Sequence, residues 1–194
     1  WEYLKKLAAE TGLMTEEGEN ILSLQYEIID VKRDNVPLAQ YLGDKTKLTS
    51  YKLSNTIYYP FGCNASQKRA VENALCNQVS IIQGPPGTGK TQTILNIIAN
   101  LLLAKKSVLV VSNNNSAVEN VAEKLEGEGL GFLVAKLGSV ENKELFIANQ
   151  KEYPQMDDWR FEDTSSIKQQ VKQALRDASL GFEGQSKFAL LKTE

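Results

Sequence analysis

Val79-Ser-Ile-Ile-Gln83 runs straight into Gly84-Pro85-Pro86-Gly87-Thr88-Gly89-Lys90-Thr91, and this junction decides the fold. The first five residues form a short apolar run stopped by a glycine and two prolines, as a buried strand is. The next eight fit G-x-x-x-x-G-K-[ST]. Glycines let successive backbone N–H groups turn toward phosphate oxygens, and the following helix offers its positive N-terminal end to the same anion. Lys90 supplies a mobile charge for the β- and γ-phosphates, and Thr91 a hydroxyl for Mg²⁺. The cofactors this predicts are ATP and Mg²⁺. A glycine-proline turn with a surface lysine is the bland alternative, but the flanking pattern argues against it.

That pattern is alternation of strand and helix. Ile94, Ile97, Ile98, Leu101 and Leu102 lie at i, i+3, i+4, i+7 and i+8, one face of a helix expected to run to about Leu103. Residues 107–112 (Ser-Val-Leu-Val-Val-Ser) read as a strand buried on both faces. Val118, Val121, Ala122 and Leu125 repeat the helical spacing, with Ser116 and Glu119 as a capping box, and residues 132–135 are a third strand candidate. The predicted fold class is α/β, with a parallel sheet joined by right-handed crossovers.

Outward from the core the signals thin. Tyr3, Leu4, Leu7 and Ala8 suggest a short helix stopped by Gly12, and residues 24–31 and 56–59 carry β-rich patches. Ile167, Val171, Ala174 and Ala178 form a narrow seam among lysines and glutamines, the pattern of a hairpin or coiled-coil arm. The reading is therefore an N-terminal extension over 1–57, a P-loop ATP-binding core over 58–150, and the start of a helical insertion over 151–194.

Composition excludes several chemistries. The chain of 194 residues has no histidine, so it holds no Ser-His-Asp triad and no histidine zinc site, and its two cysteines, Cys63 and Cys76, make no Cys-x-x-Cys pair. Apolar residues are 42% and charged residues 24%, a balance that places it with soluble globular proteins. The net charge is −2, divided as −2 over residues 1–60, +2 over 61–140 and −2 over 141–194. The mildly basic middle is compatible with phosphate binding. No segment reads as a membrane span or secretory leader, and the expected compartment is cytoplasmic, the expected state a monomer. With Trp1 first and Glu194 last, the chain reads as a piece of a longer protein.

Two further segments refine the site. Gln67 lies seventeen residues before Gly84, in Asn64-Ala-Ser-Gln67. Its amide offers a donor and an acceptor that suit the adenine N6/N7 edge, while Asn64 and Gln67 equally spell a capping box. Ser112-Asn-Asn-Asn-Ser-Ala-Val-Glu-Asn120 lies at the end of the second strand candidate, where loops of α/β proteins bind ligands; its small polar side chains and fresh helix N-terminus suit phosphodiester contacts, and a polar strand-to-helix turn is the alternative.

Together these segments resemble the first RecA-like motor domain of superfamily 1 DNA/RNA helicases, in the branch of the nonsense-mediated-decay helicase. Gln67 falls at that family's adenine-reading Q motif and residues 84–91 match motif I. Asn114-Asn115-x-Ala117-Val118-Glu119 is similar to motif Ia, with Asn114 for the usual Ser and Glu119 for the usual Asp. Ala135-Lys136-Leu137-Gly138 is similar to the family's Arg-Leu-Gly, with Lys136 for Arg. The resemblance covers about residues 58–145. It implies ATP-dependent movement on single-stranded DNA or RNA by a longer parent, with Asn114, Asn115 and Ser116 as nucleic-acid contacts and a helical insertion after the third strand. An acidic pair that holds Mg²⁺ and poises water would follow four apolar residues. Ile28-Ile29-Asp30 has the wrong successor and Asp157-Asp158 the wrong predecessor, so the chain reads as an ATP-binding front end, inactive alone. The alternative class is another P-loop machine, such as an AAA+ remodelling ATPase or a small kinase, and a third reading is a non-catalytic module with a degenerate loop.

Overall fold

The computed structural model describes residues 1–12, 14–29, 36–43, 48–52, 56–138, 140–149 and 164–192. Asp30, Val31, Asp157 and Asp158, and the expected beginning of the insertion over 151–163, lie outside them. The chain divides into two units, Trp1–Lys52 with Cys76–Ile81, and Leu53–Leu75 with Ile82–Glu194.

In the first unit α1 (Glu2–Thr11) ends at Gly12 as the apolar spacing predicts, and packs on α2 (Ile21–Ile28). Asn20 staples the pair. Its Oδ1 accepts from Ser23 N at 3.0 Å to cap α2, while its Nδ2 donates to Ala8 O at 2.8 Å. Trp1 and Tyr26 add a ring contact at 5.0 Å between centroids. The β-rich patch expected over 24–31 is thus helical through Ile28. Of its apolar residues Tyr26 meets α1's end through Trp1, while Leu24 and Ile28 stay exposed, and the Asn20 cap starts a helix that β propensity alone would not. A short helix, α3 (Pro37–Leu42), begins with proline at its first position, where the missing N–H costs nothing.

The second unit is built on α4 (Ala65–Cys76), α5 (Lys90–Leu103) and α6 (Asn115–Gly127), with α7 (Val140–Ala148) and the long α8 (Thr164–Leu191) beyond. Leu95 and Ile98 of α5 meet Val121 and Leu125 of α6 in its core, and Phe61, Leu102, Val108, Val110, Leu130 and Val134 pack around them. Helix α5 ends at Leu103 as expected, although Leu95 rather than Ile94 faces inward.

The expected parallel sheet does not form, and the α/β class is corrected by the structure. Among the described residues there is no strand, and extended pairing is confined to isolated antiparallel bridges, Met14 with Asn20 and Ser50 with Asn77. The physical reason lies in what an apolar run encodes. Residues 107–112 still alternate, with Val108 and Val110 packed on the core and Leu109 and Val111 left 83% and 78% exposed. β-Branched side chains supply a surface that fits a sheet, but the backbone ladder needs a partner chain segment that the run itself does not specify. Ile81 in the first predicted strand is likewise 89% exposed. The third candidate, residues 132–135, overlaps a 3₁₀ turn over Gly131–Leu133.

Candidate nucleotide-binding site

The loop over residues 84–91 is shaped by its glycines. Gly87 and Gly89 take left-handed backbone, with φ of 82° and 78°, a region that side chains with a Cβ enter only at a cost. Gly89 is also the N-cap of α5, so the loop delivers Lys90 and Thr91 into that helix's first turn. Thr88 Oγ1 donates to Pro85 O at 2.8 Å, closing the loop on itself. Lys90 Nζ donates to Gly84 O at 2.5 Å and Pro85 O at 2.8 Å, which holds the ammonium over the loop with its third proton uncommitted.

Gln67 is brought to this loop by α4. Asn64 Oδ1 accepts from Gln67 N at 2.9 Å and Gln67 Oε1 accepts from Asn64 N at 2.9 Å, a reciprocal capping box. The amide nitrogen then points into the loop. Nε2 lies within hydrogen-bond reach of Thr88 O at 3.2 Å, Gly89 O at 3.3 Å and Gln92 Oε1 at 3.1 Å. Gln67 is buried, and its amide is committed to the capping box and to the P-loop backbone.

Pro86, Gly87, Gly89, Lys90 and Thr91 open onto a cleft of about 940 Å³. Phe61, Gln92 and Leu95 line it as well, and α6 contributes Asn120 and Lys124, so two lysines line one space. A Cβ built on Gly87 would meet nothing within 4 Å, while one on Gly89 would strike Gln67 Nε2 at 2.1 Å. The loop is therefore open toward the cleft and braced from behind. Such a space, with glycine backbone, a helix N-terminus and two lysines, fits a polyphosphate. Among the described residues no cluster of three or more acidic, cysteine or histidine side chains could hold a metal ion.

Asn114, Asn115 and Ser116 lie elsewhere. Asn114 is the N-cap of α6, its Oδ1 accepting from Ser116 N at 3.0 Å, so the cap precedes the expected Ser116–Glu119 box by two residues. All three are exposed and none lines the cleft. Lys136 pairs with Glu126 at 3.4 Å.

Sequence reasoning missed the carboxamides of α5. Gln92, Asn96 and Asn100, spaced i, i+4, i+8, all face the segment 58–62. Gln92 Nε2 donates to Phe61 O, Asn96 Nδ2 to Gly62 O at 2.8 Å, and Asn100 Nδ2 to Tyr58 O at 2.6 Å. In return Phe61 N donates to Asn96 Oδ1 at 3.2 Å and Tyr58 N to Asn100 Oδ1 at 2.9 Å. Side chains thus satisfy both backbone groups of Tyr58, in the patch read as β-rich, and those of Phe61 in the turn that follows it. The signal was present as polar residues at helical period inside an apolar stretch. Beside this ladder, burial pushes the Cys63 thiol up from its ordinary value, with Lys68 opposing and Glu72 reinforcing, and burial together with Glu72 raises the Tyr59 phenol.

These parts make a P-loop site: a glycine loop, its lysine and threonine, and the helix that follows. The chain belongs to the AAA domain family, whose model matches residues 62–181. Its relatives carry helicase names. "DNA polymerase alpha-associated DNA helicase A" of Schizosaccharomyces pombe is 38% identical over 109 residues, 56% of this chain and 15% of that protein. "ATP-dependent helicase upf1" of the same organism is 31% identical over 135 residues, 66% of this chain and 14% of that protein. "Regulator of nonsense transcripts 1 homolog" of Neurospora crassa is 46% identical over 86 residues, 44% of this chain and 8% of that protein. The chain therefore spans a small part of each relative. These relatives bear out the resemblance to superfamily 1 helicases of the nonsense-mediated-decay branch. No solved structure matches the chain. No helix among the described residues is long and apolar enough to cross a membrane.

Proposed function

We propose that this chain is the ATP-binding part of a superfamily 1 helicase motor, acting within a longer protein on single-stranded DNA or RNA. The observation that carries it is the braced loop over 84–91, opening with Lys90 and Thr91 onto the cleft. In this reading the loop's N–H groups and the N-terminus of α5 hold the β-phosphate. Lys90 and Lys124 neutralise the outer phosphates, and Thr91 gives its hydroxyl to the Mg²⁺ that arrives with ATP. Bound Mg²⁺ supplies neutralisation of phosphate charge. Gln67 acts through the loop: by holding Thr88 O and Gly89 O it fixes the backbone turn that aims the amides. Asn114, Asn115 and Ser116, at the exposed start of α6, offer one helix N-terminus and small polar groups to a phosphodiester backbone. The names of the relatives, which speak of DNA helicase and ATP-dependent helicase, support the assignment.

The test is binding of a fluorescent ATP analogue in the presence of Mg²⁺. The proposal expects displacement by ATP and by tripolyphosphate, and none by adenosine, because the site is built around phosphate. Displacement by adenosine alone, or no binding of the analogue, would overturn it.

A further inference from the structure

Helix α5 does two things at once. Its first turn carries Lys90, Thr91 and Gln92, and Gln92 with Asn96 and Asn100 of the following turns forms the carboxamide row that grips the segment 58–62. That segment is a tight turn, with Gly62 N donating to Tyr59 O at 2.9 Å and Gly62 at φ 71°. Phe61 sits within it and is the aromatic residue among those lining the cleft. Every backbone bond that fixes Phe61 to the rest of the unit comes from α5: its carbonyl accepts from Gln92 and its N–H donates to Asn96 Oδ1. Asn96 is wholly buried and Asn100 nearly so, so the contacts are shielded from competing water. Gln92 also accepts from Gln67 Nε2, which joins the ladder to the brace behind the P-loop.

An aromatic ring beside a phosphate cradle offers a surface for the one part of a nucleotide that is flat and apolar, its base. We propose that the ladder Gln92–Asn96–Asn100 is a positioning device that sets Phe61 as the base-side wall of the cleft, so that preference for a nucleoside triphosphate over bare triphosphate is governed from α5. This rests on the cleft being the nucleotide site. Phe61 touches the base; the three carboxamides act through it. A helix that presents its N-terminus to the phosphates and holds the base wall by its side fixes the distance between the two subsites. That is a specificity no charge count along the loop would provide.

The test compares two probes, Mg-ATP and magnesium tripolyphosphate, by calorimetry on the 194-residue chain. Phe61→Leu keeps the core packing and removes the flat face. Gln92→Met keeps the length and removes both the donor to Phe61 O and the acceptor of Gln67 Nε2, and Asn100→Ala acts more than two turns away from Thr91. We expect Phe61→Leu to weaken Mg-ATP about five- to tenfold and Asn100→Ala about two- to fivefold, with tripolyphosphate changed less than twofold in both, since stacking is lost and the phosphate cradle is intact; Gln92→Met should weaken both probes, Mg-ATP by the larger factor. Far-ultraviolet circular dichroism of each variant should match the wild type. Equal weakening of both probes by Gln92→Met and Asn100→Ala would show that the ladder supports only the loop and overturn the inference. So would an unchanged Mg-ATP affinity in Phe61→Leu. A wild-type chain that binds tripolyphosphate and ATP equally would overturn the inference while leaving the phosphate site standing; one that binds neither would overturn the site itself.

Discussion

Replacing Gly89 by alanine separates the loop's two constraints. A Cβ at Gly89 enters left-handed backbone at φ 78° and strikes Gln67 Nε2 at 2.1 Å; at Gly87 the same atom meets φ 82° and open space. The backbone term is common to both and is about 1–2 kcal/mol. The clash belongs to Gly89 alone. To relieve it the Gln67 amide must leave Thr88 O, Gly89 O and Gln92 Oε1, and for a buried amide the net loss is about 1–3 kcal/mol. Gly87→Ala should therefore cost about 1–2 kcal/mol and Gly89→Ala about 2–5 kcal/mol. The assay is urea unfolding of both variants, each in the wild-type and the Gln67→Ala background. Without Gln67 the nearest remaining atom is Gln92 Oε1 at 3.3 Å, the end of a flexible side chain that can give way, and Gly89→Ala should cost little more than Gly87→Ala. Equal costs at the two positions in the wild-type background, or a difference that survives removal of Gln67, would refute the bracing of the loop by Gln67.

Gln67→Ala should weaken ATP and GTP alike, because its amide holds the loop and not a base; a loss confined to ATP, measured by competition against a fluorescent nucleotide, would place the amide on adenine instead. Lys124→Ala should lower Mg-ATP affinity about two- to fivefold, the loss of one partly solvated charge next to Lys90, with calorimetry as the check. Asn114→Ala should destabilise the chain by about 1 kcal/mol through the lost cap on α6, read as a shift in the urea midpoint. Cys63 titrates above the ordinary thiol value, so the neutral thiol is favoured by folding, and the associated stability is present below pH 9 and lost as pH rises through the higher folded value. Alkylation of Cys63 by iodoacetamide near pH 9 should then be slower in the folded than in the urea-unfolded chain, and equal rates would contradict its burial.

Much of the second unit could be read from residues alone. The helix after Gly89 and the one after Asn114 declare themselves by apolar spacing, although the second is capped by Asn114 and not by the expected Ser116–Glu119 box. The capping box of Asn64 and Gln67 is spelled in the sequence and found in the fold. That the expected sheet does not form among the described residues was not legible, because residues 79–83 and 107–112 record only a pattern of side chains. Whether Ile81, Leu109 and Val111 are covered depends on pairing partners that no local pattern names. The site was legible where chemistry is written in consecutive residues, from Gly84 to Thr91. It was illegible where it depends on a second element crossing the first. Asn96 and Asn100 stand inside an apolar stretch, yet they are donors and acceptors that fasten Tyr58, Phe61 and Gly62 to α5. Lys124 reads as one lysine among many until the packing of α6 on α5 brings it to the cleft.

Titration of Mg-ATP into the wild-type chain and into Lys90→Ala tests the central claim most directly. Lys90 is the loop's only cation, and its removal deletes one charge-assisted contact to phosphate, worth about 1.5–3 kcal/mol or roughly ten- to a hundredfold in affinity. The account predicts one site per wild-type chain and at least tenfold weaker binding in the variant, with the far-ultraviolet circular dichroism of the wild type. Equal affinities, or a wild-type chain that does not take up Mg-ATP, would contradict it.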